Sequence, residues 1–290
     1  MAEREVLMER RVPTWAAGLV ARLTQDRPPV VTVDDIAEYL AEFDDPRDPG
    51  STVRSLVALD WLTATHIKGT WAFHPPGETD ALDPYLDLRA WARKEPSARF
   101  ALAGEATAWH LGYLDRRFAG PIAIWVPEGR RPPKGIRSLV SIVRIGWGAD
   151  AVLGPRSKFL ADKRLDRTMW ATGLPALGPE ALLVQLAVRP LSFVPWADLA
   201  AHFETFAHDC ESTRVVELVD GQTASAWQRA SYLLHAGGND AGAEYVAGHK
   251  SRDARLVHAK LGAGSGGVHF ARYGVTDTVL APLLAQVGKA

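Results

Sequence analysis

Within the first 77 residues the spacing of apolar side chains changes period, and that change limits what this stretch can fold into. Ala16, Leu19, Val20 and Leu23 recur at i, i+3, i+4 and i+7, one stripe of a helix that Thr14 caps and Pro28-Pro29 end. Val30-Val31 is a short extended piece. Thr32 caps a second helix, with Asp34 and Asp35 in the first turn, where the partial positive charge of a helix end favours carboxylates. Val33, Ile36, Ala37 and Leu40 repeat the apolar stripe. The turn-rich connector Asp44-Asp45-Pro46-Arg47-Asp48-Pro49-Gly50 leads to a third helix over Gly50 to Leu59. Its inner face carries Val53, Leu56 and Val57; its outer face carries Arg47, Ser51, Arg54, Ser55 and Ala58. From Leu62 the period moves towards 2. Leu62 to Ile67 reads as a strand, Lys68-Gly69 as a tight turn, and Thr70 to His74 as the return strand with Trp71 and Phe73 on one face, closed by Pro75-Pro76-Gly77. Three short helices followed by a β-hairpin is the order of a winged helix-turn-helix.

The chain has 290 residues, a length that suits two domains. After an acidic linker, Glu78 to Asp83, the pattern is longer and mixed. Helices are expected at Tyr85 to Arg93, Phe100 to Leu111, Glu180 to Val188, Trp196 to His208, Val215 to Val219, Ser225 to His235 and Thr278 to Val287. Strands are expected at Pro121 to Pro127 and Leu139 to Ile145, joined by the basic Pro/Gly loop Gly129 to Gly135. Residues 237–270 give no clear pattern. The expected fold is therefore α+β: a winged helix-turn-helix over residues 1–77 and a larger mixed α/β C-terminal domain over residues 84–290.

Charge gives the first functional direction. The net charge is −1, but it is unevenly distributed. Residues 1–77 hold 8 Lys and Arg against 12 Asp and Glu, whereas residues 116–167 hold 12 against 4. A basic block in a near-neutral chain points either to an anionic partner or to a solvated, salt-bridged surface. The third helix has the small, polar, basic outer face that a major groove about 12 Å wide admits. Arg54 has the planar fork that matches two acceptors on guanine. Ser51 and Ser55 can bond phosphate or base edges, and Arg47, near the helix start, suits a phosphate. Lys68 stands at the hairpin tip, with Thr70 behind it. The same element order also serves as a protein-interaction module. The acidic balance of the first 77 residues implies weak DNA affinity on their own, because affinity grows with the number of phosphates neutralised. Either a dimer doubles the contacts or a second surface shares the DNA. The second surface, favoured because its residues cluster, comprises Arg116, Arg117, Arg130, Arg131, Lys134 and Arg137.

Signals for catalysis, cofactor or metal are weak. Cys210 is the single cysteine, so neither an intrachain disulfide nor a multi-cysteine zinc site can form. It follows His208-Asp209, but sequence neighbours rarely form a triad. Gly262 to Gly267 lacks the Lys-Ser/Thr ending of a phosphate-binding P-loop, and the apparent strand Val268 to Ala271 follows it instead of a helix. It reads as a flexible loop. His249 and His258 lack metal-ligand spacing, Trp109-His110 sits on an amphipathic helix as a packed histidine would, and Asp162, Lys163, Arg164 and Asp166 are spaced as an ordinary charged helix surface. No catalytic residue, metal or cofactor is expected. Met1 to Arg11 lacks the apolar core of a signal peptide, and no run reaches the roughly 20 apolar residues of a membrane span. The expected location is the cytoplasm, with no membrane partner.

Particular segments carry a family resemblance. They are Val31-Thr32-Val33-Asp34-Asp35-Ile36, Val53 to Leu62 and Lys68 to Phe73 in the head, and Leu102 to Leu114, Ile122 to Pro127, Gly173 to Leu183 and Ser225 to Leu233 in the body. In this order the chain resembles AbiEi-like antitoxins of toxin–antitoxin systems, and within them the longer MenA-type proteins with a winged-helix head. The resemblance implies a repressor of its own operon that binds promoter DNA, and a larger domain that counters a nucleotidyltransferase-like toxin, directly or functionally. It carries DNA contact over to Ser51, Thr52, Arg54, Ser55, Lys68 and Thr70. The wing has one basic residue at its tip, where many wings of the family carry more. Two alternatives stay open: a module that neutralises a partner protein directly, and an enzyme that modifies the toxin.

Overall fold

A computed structural model describes residues 12–76, 83–154, 157, 159–160, 173–249 and 257–288. Gly77, most of the acidic linker, and Asp162, Lys163, Arg164 and Asp166 lie outside the described residues. The chain divides into two compact units. The first holds the described residues up to Ala98 together with Pro132–Arg137; the second holds Arg99–Arg131 and the described residues from Ser138 onward. Small sheets and many helices make the protein α+β.

In the first unit a 3-10 turn, Thr14–Ala16, runs into α1 (Ala17–Asp26). Thr14 opens that turn and does not cap α1, which is preceded by Ala16. Arg27, in the left-handed region at φ 43°, ends α1 by returning its N–H to the Leu23 carbonyl, so the helix stops before the proline pair. β1 (Val31–Thr32) precedes α2 (Val33–Glu42). The Thr32 hydroxyl accepts the Asp35 N–H at 3.2 Å and the Asp35 carboxylate accepts the Thr32 N–H at 2.7 Å, a reciprocal cap that satisfies two helix-end donors. α3 (Pro49–Ala58) starts with proline at a position that needs no N–H, and Asp48 caps it by accepting the Ser51 N–H at 2.7 Å. Leu19, Leu23, Ile36, Leu40, Val53, Leu56 and Trp61 close one apolar core between the three helices.

The inward stripe of α3 is Thr52, Val53 and Leu56; Val57, expected inside, is exposed. Thr52 can take the inner place because its hydroxyl donates to the Asp48 carbonyl at 3.0 Å, which removes the cost of burying it. β2 (Leu62–Ala64) and β3 (Thr70–Phe73) form the hairpin, and β1 adds to β3 in the antiparallel order β1-β3-β2, with Val31 opposite Trp71 and Leu62 opposite Phe73. β2 ends three residues earlier than the alternation suggested. Thr65 turns its hydroxyl on the Ile67 backbone, and Thr70 donates its own to the Ile67 carbonyl at 2.7 Å, so the turn spans Thr65 to Gly69. α4 (Leu86–Lys94) completes the unit and buries Leu88, Ala90 and Trp91.

The second unit is built around α7 (Pro179–Val188), whose residues from Glu180 to Ala187 are all buried. A sheet of β4 (Ala101–Leu102), β5 (Ile122–Trp125) and β6 (Val140–Val143) lies in the order β4-β5-β6, with β5 and β6 parallel. The first residues of the helix expected at Phe100 to Leu111 are strand β4 instead, because the Leu102 N–H and carbonyl pair with Pro175 and Leu177; α5 (Gly104–His110) begins only after the turn. The connection from β5 to β6 supplies Pro132–Arg137 to the first unit. α6 (Ala149–Leu153) follows β6. The helix expected at Trp196 to His208 is two helices, α8 (Trp196–Ala200) and α9 (Phe203–Asp209). α10 (Ser212–Val219), α11 (Ala224–Ala236) and α12 (Asp240–His249) complete the helical layer. β7 (Ala259–Leu261), β8 (Val268–Phe270) and β9 (Val275–Asp277) form a third sheet in the order β7-β9-β8, before α13 (Leu280–Val287). Asp277 is fully buried; it accepts the Tyr232 hydroxyl at 2.6 Å and the N–H groups of Val279, Leu280 and Ala281 at the start of α13.

Gly104, the first residue of α5, fastens the β4–α5 turn to α7. Its φ is +49°, its N–H donates to Gln185 Oε1 at 2.8 Å, and an added Cβ would stand 3.1 Å from Ala123 Cβ and 3.0 Å from Gln185 Nε2. Gly104→Ala is expected to destabilise the protein by about 1–3 kcal/mol, seen as a lower midpoint in urea unfolding. An unchanged midpoint would mean that this turn tolerates a side chain.

Candidate nucleic-acid interface

The outer face of α3 presents Arg54 and Ser55, both exposed. Among the described residues Arg54 makes no ion pair, so its guanidinium is available to a ligand. The other residues singled out on and around this helix are placed differently. Thr52 and Thr70 are buried, at 2% and 1% exposure, and both hydroxyls bond backbone carbonyls. They shape the helix start and the wing turn and cannot touch a ligand. Arg47 lies over the Trp15 ring at 4.8 Å, donates to the Trp15 carbonyl at 3.2 Å and pairs with Asp45 at 2.9 Å. It ties the α2–α3 connection to the start of the unit, which leaves little of its charge for phosphate. Ser51 donates its hydroxyl to the Asp48 carbonyl at 2.8 Å and remains half-exposed at the helix start. The Asp48 carboxylate is occupied by the cap.

The wing differs most from what the sequence order conveys. Lys68 is exposed at the turn, and Gly69 follows at φ +82°, a conformation that favours glycine. A side chain at Gly69 would stand 3.6 Å from Lys94 Nζ, so the last residue of α4 brings a second ammonium to the wing tip. A further segment reaches the turn from far along the chain. The 3-10 turn Lys134–Ile136 packs its backbone on the wing: a Cβ at Gly135 would lie 2.2 Å from the His66 carbonyl oxygen. Ile136 is fully buried, and Lys134 beside it is exposed. The turn itself is fixed from the other side, where the Asp87 carboxylate accepts the His66 N–H at 2.8 Å and meets His66 Nδ1 at 2.9 Å. Arg93 pairs with Asp35, which fastens α4 to α2.

The six residues proposed as a second surface are divided by the fold. Lys134 and Arg137 belong to the first unit, and Arg137 donates to the Pro132 carbonyl at 3.1 Å. Arg116, Arg117, Arg130 and Arg131 belong to the second. Arg116 pairs with Asp198 at 3.5 Å and Arg117 donates to the Phe118 carbonyl at 3.3 Å. No spacing signal in the sequence could have joined Lys94 and Lys134 to Lys68, since they lie 26 and 66 positions after it.

Cys210, Asp209, Glu180 and Glu105 each make a structural hydrogen bond. Cys210 is buried, its thiol faces the Phe206 carbonyl at 3.3 Å, and burial pushes its pKa up, which disfavours the thiolate. Asp209 accepts the Tyr113 hydroxyl at 2.7 Å. Glu180 and Glu105 are buried carboxyls whose pKa is raised by burial; Glu180 accepts the Glu211 N–H and Glu105 the Val194 N–H, each at 3.1 Å. Among the described residues no three His, Cys, Asp or Glu side chains gather as a metal site would require, and no helix is long and apolar enough to cross a membrane.

Comparison with known proteins gives a family match and a similar solved structure. The family model of the AbiEi antitoxin C-terminal domain matches residues 100–236. The chain is also similar to the crystal structure of the RV2827C protein from Mycobacterium tuberculosis, at 46% sequence identity over 97% of each chain and a TM-score of 0.84. No curated protein matches.

Gly135 offers a test of the wing's construction. Gly135→Ala forces the 3-10 turn away from the His66 carbonyl and is expected to speed amide hydrogen exchange at residues 66–70, with a stability loss of about 1–3 kcal/mol. Unchanged protection at those amides would show that the wing turn stands without this contact.

Proposed function

We propose that this chain, which belongs to the AbiEi-like antitoxin family, is the DNA-binding antitoxin of a toxin–antitoxin pair and represses its own operon. In this reading α3 enters the major groove, Arg54 reads a base pair and Ser55 and Ser51 contact phosphate or base edges. Lys68, Lys94 and Lys134 neutralise phosphates beside the groove. The observation that supports the reading is a wing turn that carries Lys68, has the Lys94 ammonium beside Gly69 and is packed by the segment bearing exposed Lys134, in the same unit as an α3 whose Arg54 is exposed. It supplies the cationic charge that residues 1–77 lack as a linear segment. The larger unit, which contains the antitoxin domain, counters a nucleotidyltransferase-like toxin by contact or through another route. We read the protein as a binding protein and not an enzyme; in support, Cys210, Asp209 and Glu180 are each engaged in a structural hydrogen bond.

Fluorescence anisotropy of the full chain on its own upstream DNA and on a scrambled duplex, at two salt concentrations, tests this. Tighter binding to the upstream DNA than to the scrambled duplex is expected; equal affinity for both duplexes would remove the repressor role. Arg54→Ala should weaken specific binding by about 1–3 kcal/mol and relax preference at one base pair. The triple change Lys68→Gln, Lys94→Gln and Lys134→Gln should reduce the slope of log affinity against log salt by about 3, about one for each lost phosphate contact, on both duplexes. A slope unchanged by the triple change would place the phosphate contacts elsewhere.

A further inference from the structure

The second unit holds a cavity of about 690 Å³ whose charge is of one sign. Arg189, Arg229, His258 and Lys260 line it, with the hydroxyl-bearing Ser192 and Ser225, and no carboxylate does. Val188, Pro190 and Leu191 make an apolar wall. The cavity is formed where the end of α7 and the following 3-10 turn face α11 and β7.

Arg229 is the informative group. It is half-buried, and its Nε donates to the Ala187 carbonyl and its Nη1 to the Lys260 carbonyl at 3.3 Å. Both partners are neutral. Arg189 likewise donates to a neutral acceptor, the Arg144 carbonyl, at 2.8 Å. Among the described residues neither arginine has a carboxylate within ion-pair distance, although both charges point into one cavity. Burying a guanidinium without a counter-charge is costly, and burial lowers the Arg229 pKa accordingly. Proteins keep such groups where an anion completes them. The carbonyls hold the two guanidiniums in place and leave donors free for a ligand. Lys260 projects outward from β7 between buried Ala259 and Leu261, so it can add a charge without disturbing the strand. Gly262, with φ +102°, closes one side; a Cβ there would meet Thr278 Oγ1 at 2.3 Å.

We infer that this cavity binds a phosphorylated small molecule of nucleotide size, with its phosphates on Arg189, Arg229 and Lys260 and its uncharged portion against Pro190 and Leu191. The volume falls within the range of small-molecule sites, about 300–1,000 Å³. Planar guanidiniums match phosphate oxygens two at a time, and an ammonium and an imidazole beside them suit a second phosphate. The site is independent of the DNA reading, since every lining residue belongs to the second unit.

Isothermal titration of the full chain with ADP, inorganic pyrophosphate and adenosine tests the inference. Saturable one-to-one binding of ADP is expected, tighter than pyrophosphate, with adenosine weakest. Lys260→Gln and Arg189→Gln, each on an exposed side chain, should weaken ADP about tenfold apiece while leaving the affinity for upstream DNA unchanged. No binding of either ADP or pyrophosphate would overturn the site, as would ADP affinity unmoved by both substitutions. Equal affinity for pyrophosphate and ADP would overturn the role of the apolar wall. Thermal unfolding of the two variants separates loss of a contact from loss of the fold: an unchanged Tm with weakened ADP supports the assignment, and weakened ADP accompanied by a large drop in Tm counts against it.

Discussion

The second unit depends on a helix that has no face to give to water. From Glu180 to Ala187 every side chain of α7 is buried, so neighbouring elements must cover it on all sides. α5, α9, α10 and α11 do so, and the chain between them is routed accordingly. The polar members of α7 are each assigned a task. Gln185 accepts the N–H of Gly104 and fixes the turn that aims α5; Glu180 accepts the N–H of Glu211 and sets the start of α10. A buried polar group without a partner costs free energy, so these bonds make the arrangement specific where the apolar contacts alone would allow sliding.

The first unit solves a different problem with the same chemistry. Its three helices close one apolar core, and its helix starts are capped by Thr32 and Asp48. The caps also decide which polar groups remain for a ligand. Asp48 and Thr52 are spent on the start of α3, and Arg47 is spent on Trp15 and Asp45. What is left facing outward is Arg54 and Ser55 on α3 and the lysines around the wing turn. The wing is held by groups brought from two other elements, Asp87 on α4 and the backbone of Gly135, and those same elements deliver Lys94 and Lys134. Structural support and surface charge therefore come together: the element that braces the turn also carries the cation.

Much of the first unit was legible in the sequence because its signals are local. The apolar stripes, the Thr32 cap with Asp35 three residues on, and the change of period at Leu62 each act over a few residues. The limits of legibility are equally specific. Thr52 and Val57 stand on opposite edges of the face centred on Val53 and Leu56, and hydrophobicity alone chose the valine; the hydroxyl's bond to the Asp48 carbonyl lets the threonine take the inner place. Thr65 looked like a strand residue, and its hydroxyl instead bonds the Ile67 backbone, beyond the end of β2; Thr70 keeps its place in β3, and its hydroxyl closes the turn. Leu102 looked helical, and pairing with a segment more than 70 residues later made it strand.

By itself the amino-acid sequence determined the local elements, the order of three helices and a hairpin, the family resemblance and the uneven distribution of charge. Those properties are set by neighbours within one or two turns of chain. Only the tertiary structure decided which charges act together. It divided the basic block of residues 116–167, setting Lys134 and Arg137 in the first unit and Arg116, Arg117, Arg130 and Arg131 in the second. It also gathered Arg189, Arg229 and Lys260 around one cavity from a helix end, a helix middle and a strand. The physical reason is that electrostatic interaction depends on distance and on desolvation, and packing fixes both between residues that the sequence keeps far apart.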